Sequence, residues 1–172
     1  IESLASVDTL CIDKTGTLTE PGLRLVSLVP AASVSEAELG AAIGRFAASS
    51  EARDATLEAI VAAWPADSEP ADDVVPFLSR RRWSGLRLGG VRYVLGAPEV
   101  FTLGTLDAPA RAHQREGRRV VGFGVTDAAF PGDAGPLRGV RPLGLAVLAE
   151  ELRPGTRETI AFLSEQGVEI VV

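Results

Sequence analysis

Asp13-Lys14-Thr15-Gly16-Thr17-Leu18-Thr19 follows directly on an apolar run, Val7 to Ile12, that reads as a buried strand. A carboxylate at the carboxyl end of a strand in an α/β sheet stands where such sheets gather their chemistry. From there Asp13 can attack the terminal phosphorus of a nucleotide and carry the phosphoryl group as an acyl phosphate. Lys14 offsets charge, and Gly16 lets backbone amides approach phosphate oxygens. An Asp-initiated turn with a glycine is common in any protein. It accounts for the Asp and the Gly of this stretch but not for the complete string.

A second piece of the same parallel sheet is predicted at the other end of the chain. Arg153-Pro154-Gly155-Thr156 opens a helix with Pro in its first turn, Ile160 and Leu163 share a face, and Gly167 stops it. Val168 to Val172 then reads as a buried strand, and helix followed by apolar strand is half of a doubly wound unit. Between these ends the pattern changes. A loose strand at Leu23 to Val29 precedes a helix with a Ser35-Glu36-Ala37-Glu38 capping box that runs to about Ser50, and a second helix from Asp54 to Trp64. Strands follow at Val74 to Leu78, Trp83 to Leu88 and Val91 to Leu95, the last two joined by a Gly89-Gly90 turn. A short helix at Pro98, another over Ala108 to Glu116, and strands at Arg119 to Thr126 and Pro142 to Ala149 complete the set. The predicted organisation is residues 1–20 and 150–172 as two parts of one α/β domain, interrupted by an α+β domain with an antiparallel sheet over residues 21–149.

All seven residues from Asp13 to Thr19 agree with the signature of P-type ATPases, ion pumps of the haloacid-dehalogenase-like superfamily, and the chain resembles that family throughout. The resemblance implies a partial Rossmann-like phosphorylation domain interrupted by a nucleotide-binding domain, with ATP and Mg²⁺ as cofactors. It makes Asp13 the phosphorylated residue, with Lys14 and Thr15 beside it. It also makes the Asp13 side chain and the Thr15 carbonyl Mg²⁺ ligands. Related phosphatases carry a general acid–base aspartate where Thr15 stands, so Thr15 implies a phosphoenzyme that is not rapidly hydrolysed from this side.

Val75-Pro76-Phe77-Leu78-Ser79-Arg80-Arg81-Arg82 is similar to the Pro-Phe-Ser-Ser-x-Arg-Lys segment of the same family. By that likeness Phe77 stacks on adenine and Arg82 replaces a lysine that meets phosphate. A continuous strand would put residues 77 and 82 on opposite faces, so this assignment requires a bulge or bend near Ser79; without one, Arg81 is the better phosphate partner. Leu95-Gly96-Ala97-Pro98-Glu99 resembles Lys-Gly-Ala-Pro-Glu, with Leu95 for the lysine and Gly96 allowing close approach of a ring to backbone. Asp54 stands at a position similar to a nucleotide-contacting helix start, although helix N-cap is the more economical role. The family glutamate there aligns with Leu57. Arg119 resembles an arginine that approaches the nucleotide phosphates. Arg153 matches a hinge arginine, which the resemblance makes a nucleotide-binding residue, and the usual Asp-Pro of that hinge is Glu150-Glu151 here.

Composition bounds the function. Hydrophobic residues make up 46% of the 172 residues and charged ones 23%, ordinary values for a globular protein. A net charge of −6 argues against nucleic-acid or anionic-membrane binding. No apolar run approaches a membrane span of about 18 residues. The chain begins at Ile1 and contains no Met, which reads as an excised fragment. The single Cys11, between Leu10 and Ile12, is expected to be a buried thiol, and lone His113 is not a metal site. Trp64 and Trp83 are expected to be packing residues.

The resemblance therefore implies a cytosolic, ATP-binding piece of a membrane-embedded cation pump, at the cytoplasmic face of the plasma membrane. The transported cation would be bound by membrane helices outside these residues. The motifs favour the calcium and other hard-cation branch, and high Ala, Arg, Gly and Val usage suits an actinobacterial source. The fragment itself is expected to bind nucleotide without turning it over. Two alternatives are a capped phosphatase of the same superfamily, which would want an aspartate at position 15, and a non-catalytic nucleotide-sensing module, which would leave Asp13 incidental.

Overall fold

A computed structural model describes residues 7–131 and 137–172. The chain divides into two units. One comprises the segments Ile1–Gly22 and Glu150–Val172, the other Leu23–Ala149.

In the first unit, β1 (Thr9–Cys11) pairs in parallel with β8 (Glu169–Val171), Leu10 opposite Ile170. The amide of Ile12 extends the ladder to the Val171 carbonyl at 2.8 Å. The helix before β8, α4 (Thr156–Glu165), starts two residues later than predicted. Gly155, in the left-handed region at φ 80°, is its N-cap, so Pro154 belongs to the preceding turn. The stop is as expected. Gly167 has φ 82°, and the Val168 amide returns to the Leu163 carbonyl at 3.1 Å.

The expected burial of both end strands fails here, with Val7, Val171 and Val172 exposed. Cys11 is exposed rather than buried, and Leu10 is only partly covered. Apolar neighbours in sequence imply burial only where both faces of a sheet are packed. Among the described residues β1 and β8 have each other as their sole strand neighbours.

The second unit is a six-stranded antiparallel sheet in the order β2-β7-β6-β5-β4-β3. Its strands are β2 (Arg24–Pro30), β3 (Asp73–Leu78), β4 (Trp83–Leu88), β5 (Val91–Gly96), β6 (Arg119–Thr126) and β7 (Val140–Ala149). Gly89 and Gly90, at φ 54° and 82°, close the β4–β5 hairpin, the double positive φ that suits the right-handed twist of the strands. One face of the sheet carries α1 (Glu36–Ser49) and α2 (Ala55–Ala63). The capping box is present: Ser35 Oγ accepts from the Glu38 amide at 3.2 Å, and the Ser35 amide donates to Glu38 at 2.8 Å.

Leu39, Ile43 and Phe46 of α1, at helical spacing, and Ile60 of α2 are fully buried against this face. At its centre Phe123 meets Phe46 edge-on and stacks on Tyr93, each pair 5.6 Å between ring centres. Trp64 packs over α1 so closely that a Cβ on Gly40 would lie 2.4 Å from its ring. The opposite face buries Trp83, Val94 and Leu145 with Phe101, Leu106 and Ala110, the last on α3 (Asp107–Arg115). An antiparallel sheet flanked by helices is thus the observed architecture. Alternation along β5 explains it, since Tyr93 and Leu95 face the first cluster and Val94 the second.

Candidate functional sites

In the first unit the loop after β1 is an irregular turn, with Thr15 extended and Gly16 left-handed at φ 79°. Gly16 makes the reversal possible, because a side chain would be strained there. Buried Thr19 closes it. Its hydroxyl accepts from the Gly16 amide at 3.1 Å, and its one hydrogen is shared between the Lys14 carbonyl and Glu150.

Residues from the other segment of this unit hold the loop. The Lys14 ammonium lies 3.4 Å from Glu150 Oε2, and Thr15 Oγ1 donates to Glu150 Oε1 at 3.1 Å. Arg153 donates to the Thr19 carbonyl at 3.2 Å and the Gly16 carbonyl at 2.9 Å, while its amide bonds the Leu18 carbonyl. Thr156 Oγ1 adds a bond to the same Leu18 carbonyl.

Partial desolvation pushes the Glu150 carboxyl up. The Thr15 hydrogen bond, the Lys14 charge and the remaining contacts outweigh it and hold the group below the ordinary glutamate value. Asp13 itself is exposed and makes no hydrogen bond or ion pair among the described residues. Lys14 is therefore engaged with Glu150 and not with its neighbour. Glu150 is the residue that sequence reasoning undervalued, reading it only as a lost aspartate.

In the second unit, Phe77, Gly96, Arg119 and Asp54 come together. They line one cleft of about 640 Å³, a volume typical of small-ligand sites. The cleft lies on the face that carries α1 and α2 and is lined by the 50–54 loop, the start of α2 and parts of β3 to β6. Its walls include Phe46, Leu57, Leu86 and Leu95, all buried. Phe77 is 54% exposed, a large aromatic surface without a full packing partner.

Asp54 caps α2, with Oδ1 accepting from the Thr56 and Leu57 amides at 2.9 and 3.0 Å. Arg119 donates to Thr56 Oγ1 at 3.3 Å. Gly96 has a packing reason of its own: a Cβ there would lie 2.6 Å from that of Trp83 and 2.7 Å from the Arg82 carbonyl oxygen.

Arg81 and Arg82 do not line the cleft. The strand does bend, with a register shift between Val75 and Leu78, and residues 79–82 then form a turn in which Arg82 is left-handed at φ 61°. Arg82 pairs with Glu99 at 3.1 Å. Arg81 reaches back to the Pro76 carbonyl and lies 5.5 Å from the centre of the Trp83 ring. The second guanidinium in the cleft is instead Arg53, which no sequence motif singled out.

The family model for haloacid dehalogenase-like hydrolases matches residues 7–172. The chain belongs to that family. Among curated relatives, this haloacid dehalogenase-like chain is 34% identical to "Calcium-transporting ATPase CtpE" of Mycolicibacterium smegmatis, over the whole chain and 22% of the relative. It is 29% identical to "Probable cation-transporting ATPase exp7" of Streptococcus pneumoniae, again over the whole chain and 22% of the relative. The chain thus spans about a fifth of the length of these relatives.

A zinc-transporting PIB-type ATPase in the E2.Pi state superposes with a TM-score of 0.76 at 25% identity, covering 99% of this chain and 26% of that one. The catalytic domain of the CPx-ATPase CopB-B gives 0.61 at 14% identity, covering 98% and 54%, a likeness of fold alone. None of the described helices is long and apolar enough to cross a membrane.

Proposed function

We propose that this chain supplies the phosphoryl-accepting aspartate and the nucleotide site of a P-type cation-transporting ATPase. ATP binds in the cleft of the Leu23–Ala149 unit with adenine stacked on Phe77, and Asp13 receives the γ-phosphoryl group as an acyl phosphate. The attacking Asp13 oxygen forms the new P–O bond while the bond from phosphorus to the β-phosphate bridging oxygen breaks, releasing ADP. Lys14 supplies positive charge beside the reacting group, and Glu150 and Arg153 fix the loop that presents it.

The observation that carries this reading is the exposed Asp13 carboxylate. It stands after a parallel strand without an internal partner among the described residues, while the residues around it are held. Asp13 and the Thr15 carbonyl offer the hard oxygen donors that Mg²⁺ takes together with water and phosphate. Bound there, Mg²⁺ would neutralise charge on the transferring phosphoryl group.

The likeness to calcium-transporting relatives favours Ca²⁺ as the cargo of the longer protein, at the cytoplasmic face of a bacterial plasma membrane. The 172 residues alone bind nucleotide and do not turn it over. Acid-stable, hydroxylamine-sensitive labelling from γ-labelled ATP in the full-length pump, lost in Asp13→Asn, tests the assignment. Labelling that survives the substitution would overturn it, and rapid release of phosphate without a labelled intermediate would point to a phosphatase.

A further inference from the structure

We infer that Arg53 is a second phosphate-binding guanidinium of the cleft, acting with Arg119 across the first turn of α2. The inference rests on the nucleotide reading above and adds a residue to it. Both arginines line the cleft, and both are tethered close to the start of α2. Arg53 immediately precedes the N-cap Asp54, and Arg119 is bonded to Thr56, two residues beyond that cap.

Each tether is a single hydrogen bond to a neutral oxygen. Arg53 Nη2 donates to the Ala48 carbonyl at 3.3 Å in the last turn of α1, and Arg119 Nη1 donates to the Thr56 hydroxyl. A guanidinium has five N–H donors in a planar fork, so four on each side chain remain for an anion, in the geometry that phosphate oxygens accept two at a time. Of the two carboxylates in the cleft, Asp54 is committed to capping, and Glu51 forms no ion pair among the described residues.

The rest of the cleft gives an anion nothing comparable. Leu57, Leu86 and Leu95 are apolar and buried, and the other candidate cations do not line it. A ligand with an aromatic ring on Phe77 and at least one phosphate between Arg53 and Arg119 meets both kinds of surface. The class is therefore a nucleoside phosphate, gripped more firmly than its nucleoside.

The test is calorimetric titration of the 172-residue chain with ATP and, separately, with adenosine, for the wild type, Arg53→Gln and Phe77→Ala. Glutamine keeps a polar side chain with N–H donors while removing the charge, and an unchanged urea midpoint verifies the fold. Arg53→Gln should weaken ATP on the order of tenfold, the loss of a charge-assisted contact, and leave adenosine within about twofold. It should also flatten the dependence of ATP affinity on salt. Equal affinity of wild type and Arg53→Gln for ATP, or equal losses for ATP and adenosine, would overturn the role of Arg53 and leave the site standing. Failure of the wild type to bind either ligand would overturn the nucleotide reading and this inference with it.

Discussion

Glu150 binds Lys14 at 3.4 Å and Thr15 at 3.1 Å, so one carboxylate from the second segment of its unit grips the two residues that follow Asp13. Because the Glu150 carboxyl is held below its ordinary value, the contribution of this grip to stability has a definite sign. It is fully present above the unfolded glutamate pKa and is lost as pH falls through the lower folded value. Carboxyl-detected NMR titration should place the Glu150 midpoint below that of an unstructured glutamate. Lys14→Ala should move it upward, and a midpoint indifferent to that substitution would show that the ion pair does not persist in solution.

Arg153 should prove a positioning residue for the same loop. Arg153→Ala removes bonds to the Gly16 and Thr19 carbonyls. Hydrogen exchange across residues 14–19 should accelerate, with a global loss on the order of 1 kcal/mol. Exchange confined to wild-type rates would mean that Thr156 and Thr19 suffice.

Phe77→Ala should separate binding from folding. The ring is more than half exposed, so its removal should change stability by no more than about 0.5 kcal/mol. Nucleotide affinity should fall by about tenfold or more, in line with a stacking contact of roughly 1–3 kcal/mol. A large stability loss with little effect on binding would reassign Phe77 to packing.

Gly96→Ala should do the reverse of a ligand-contact mutation. The added methyl group meets the Trp83 Cβ and the Arg82 carbonyl oxygen, and overpacking of this kind costs about 1–3 kcal/mol. Urea unfolding measures it. A neutral substitution would show that the β4–β5 end relaxes freely.

Asp54→Asn keeps a capping oxygen and should be nearly neutral, whereas Asp54→Ala should cost about 1 kcal/mol. If Asp54→Asn also leaves ATP affinity unchanged, Asp54 serves the helix alone.

Much of the second unit was legible because its signals are local. The Ser35 capping box, the Asp54 cap and the Gly89-Gly90 turn each name their own backbone geometry, and all three are observed. Phe77, Gly96, Arg119 and Asp54 were proposed from four separated segments, and three strands and the start of α2 bring them to one cleft. Arg53 escaped because exposed arginines in loops carry no pattern, and its significance depends on the neighbouring Arg119, supplied by β6. Glu150 escaped for a similar reason: its partners lie about 135 residues away in the chain, a distance over which spacing arguments are silent. Cys11 was misjudged because apolar neighbours report local hydrophobicity and not how many faces of a strand are covered.

The strands that open and close the second unit lie side by side, Arg24 opposite Ala149 in the β2–β7 ladder. Its two ends are therefore about one interstrand spacing apart, roughly 5 Å. For the segments on either side, a long stretch of polymer behaves as a short tether once it has folded, and the entropy of closing a loop grows with the length of flexible chain that must be closed. Folding of the inner unit thus prepays most of the search that would otherwise separate β1 from β8. The same geometry makes the inner unit portable, since it could be excised and bridged by a few glycines, or grafted into a foreign loop, without stretching either host or guest.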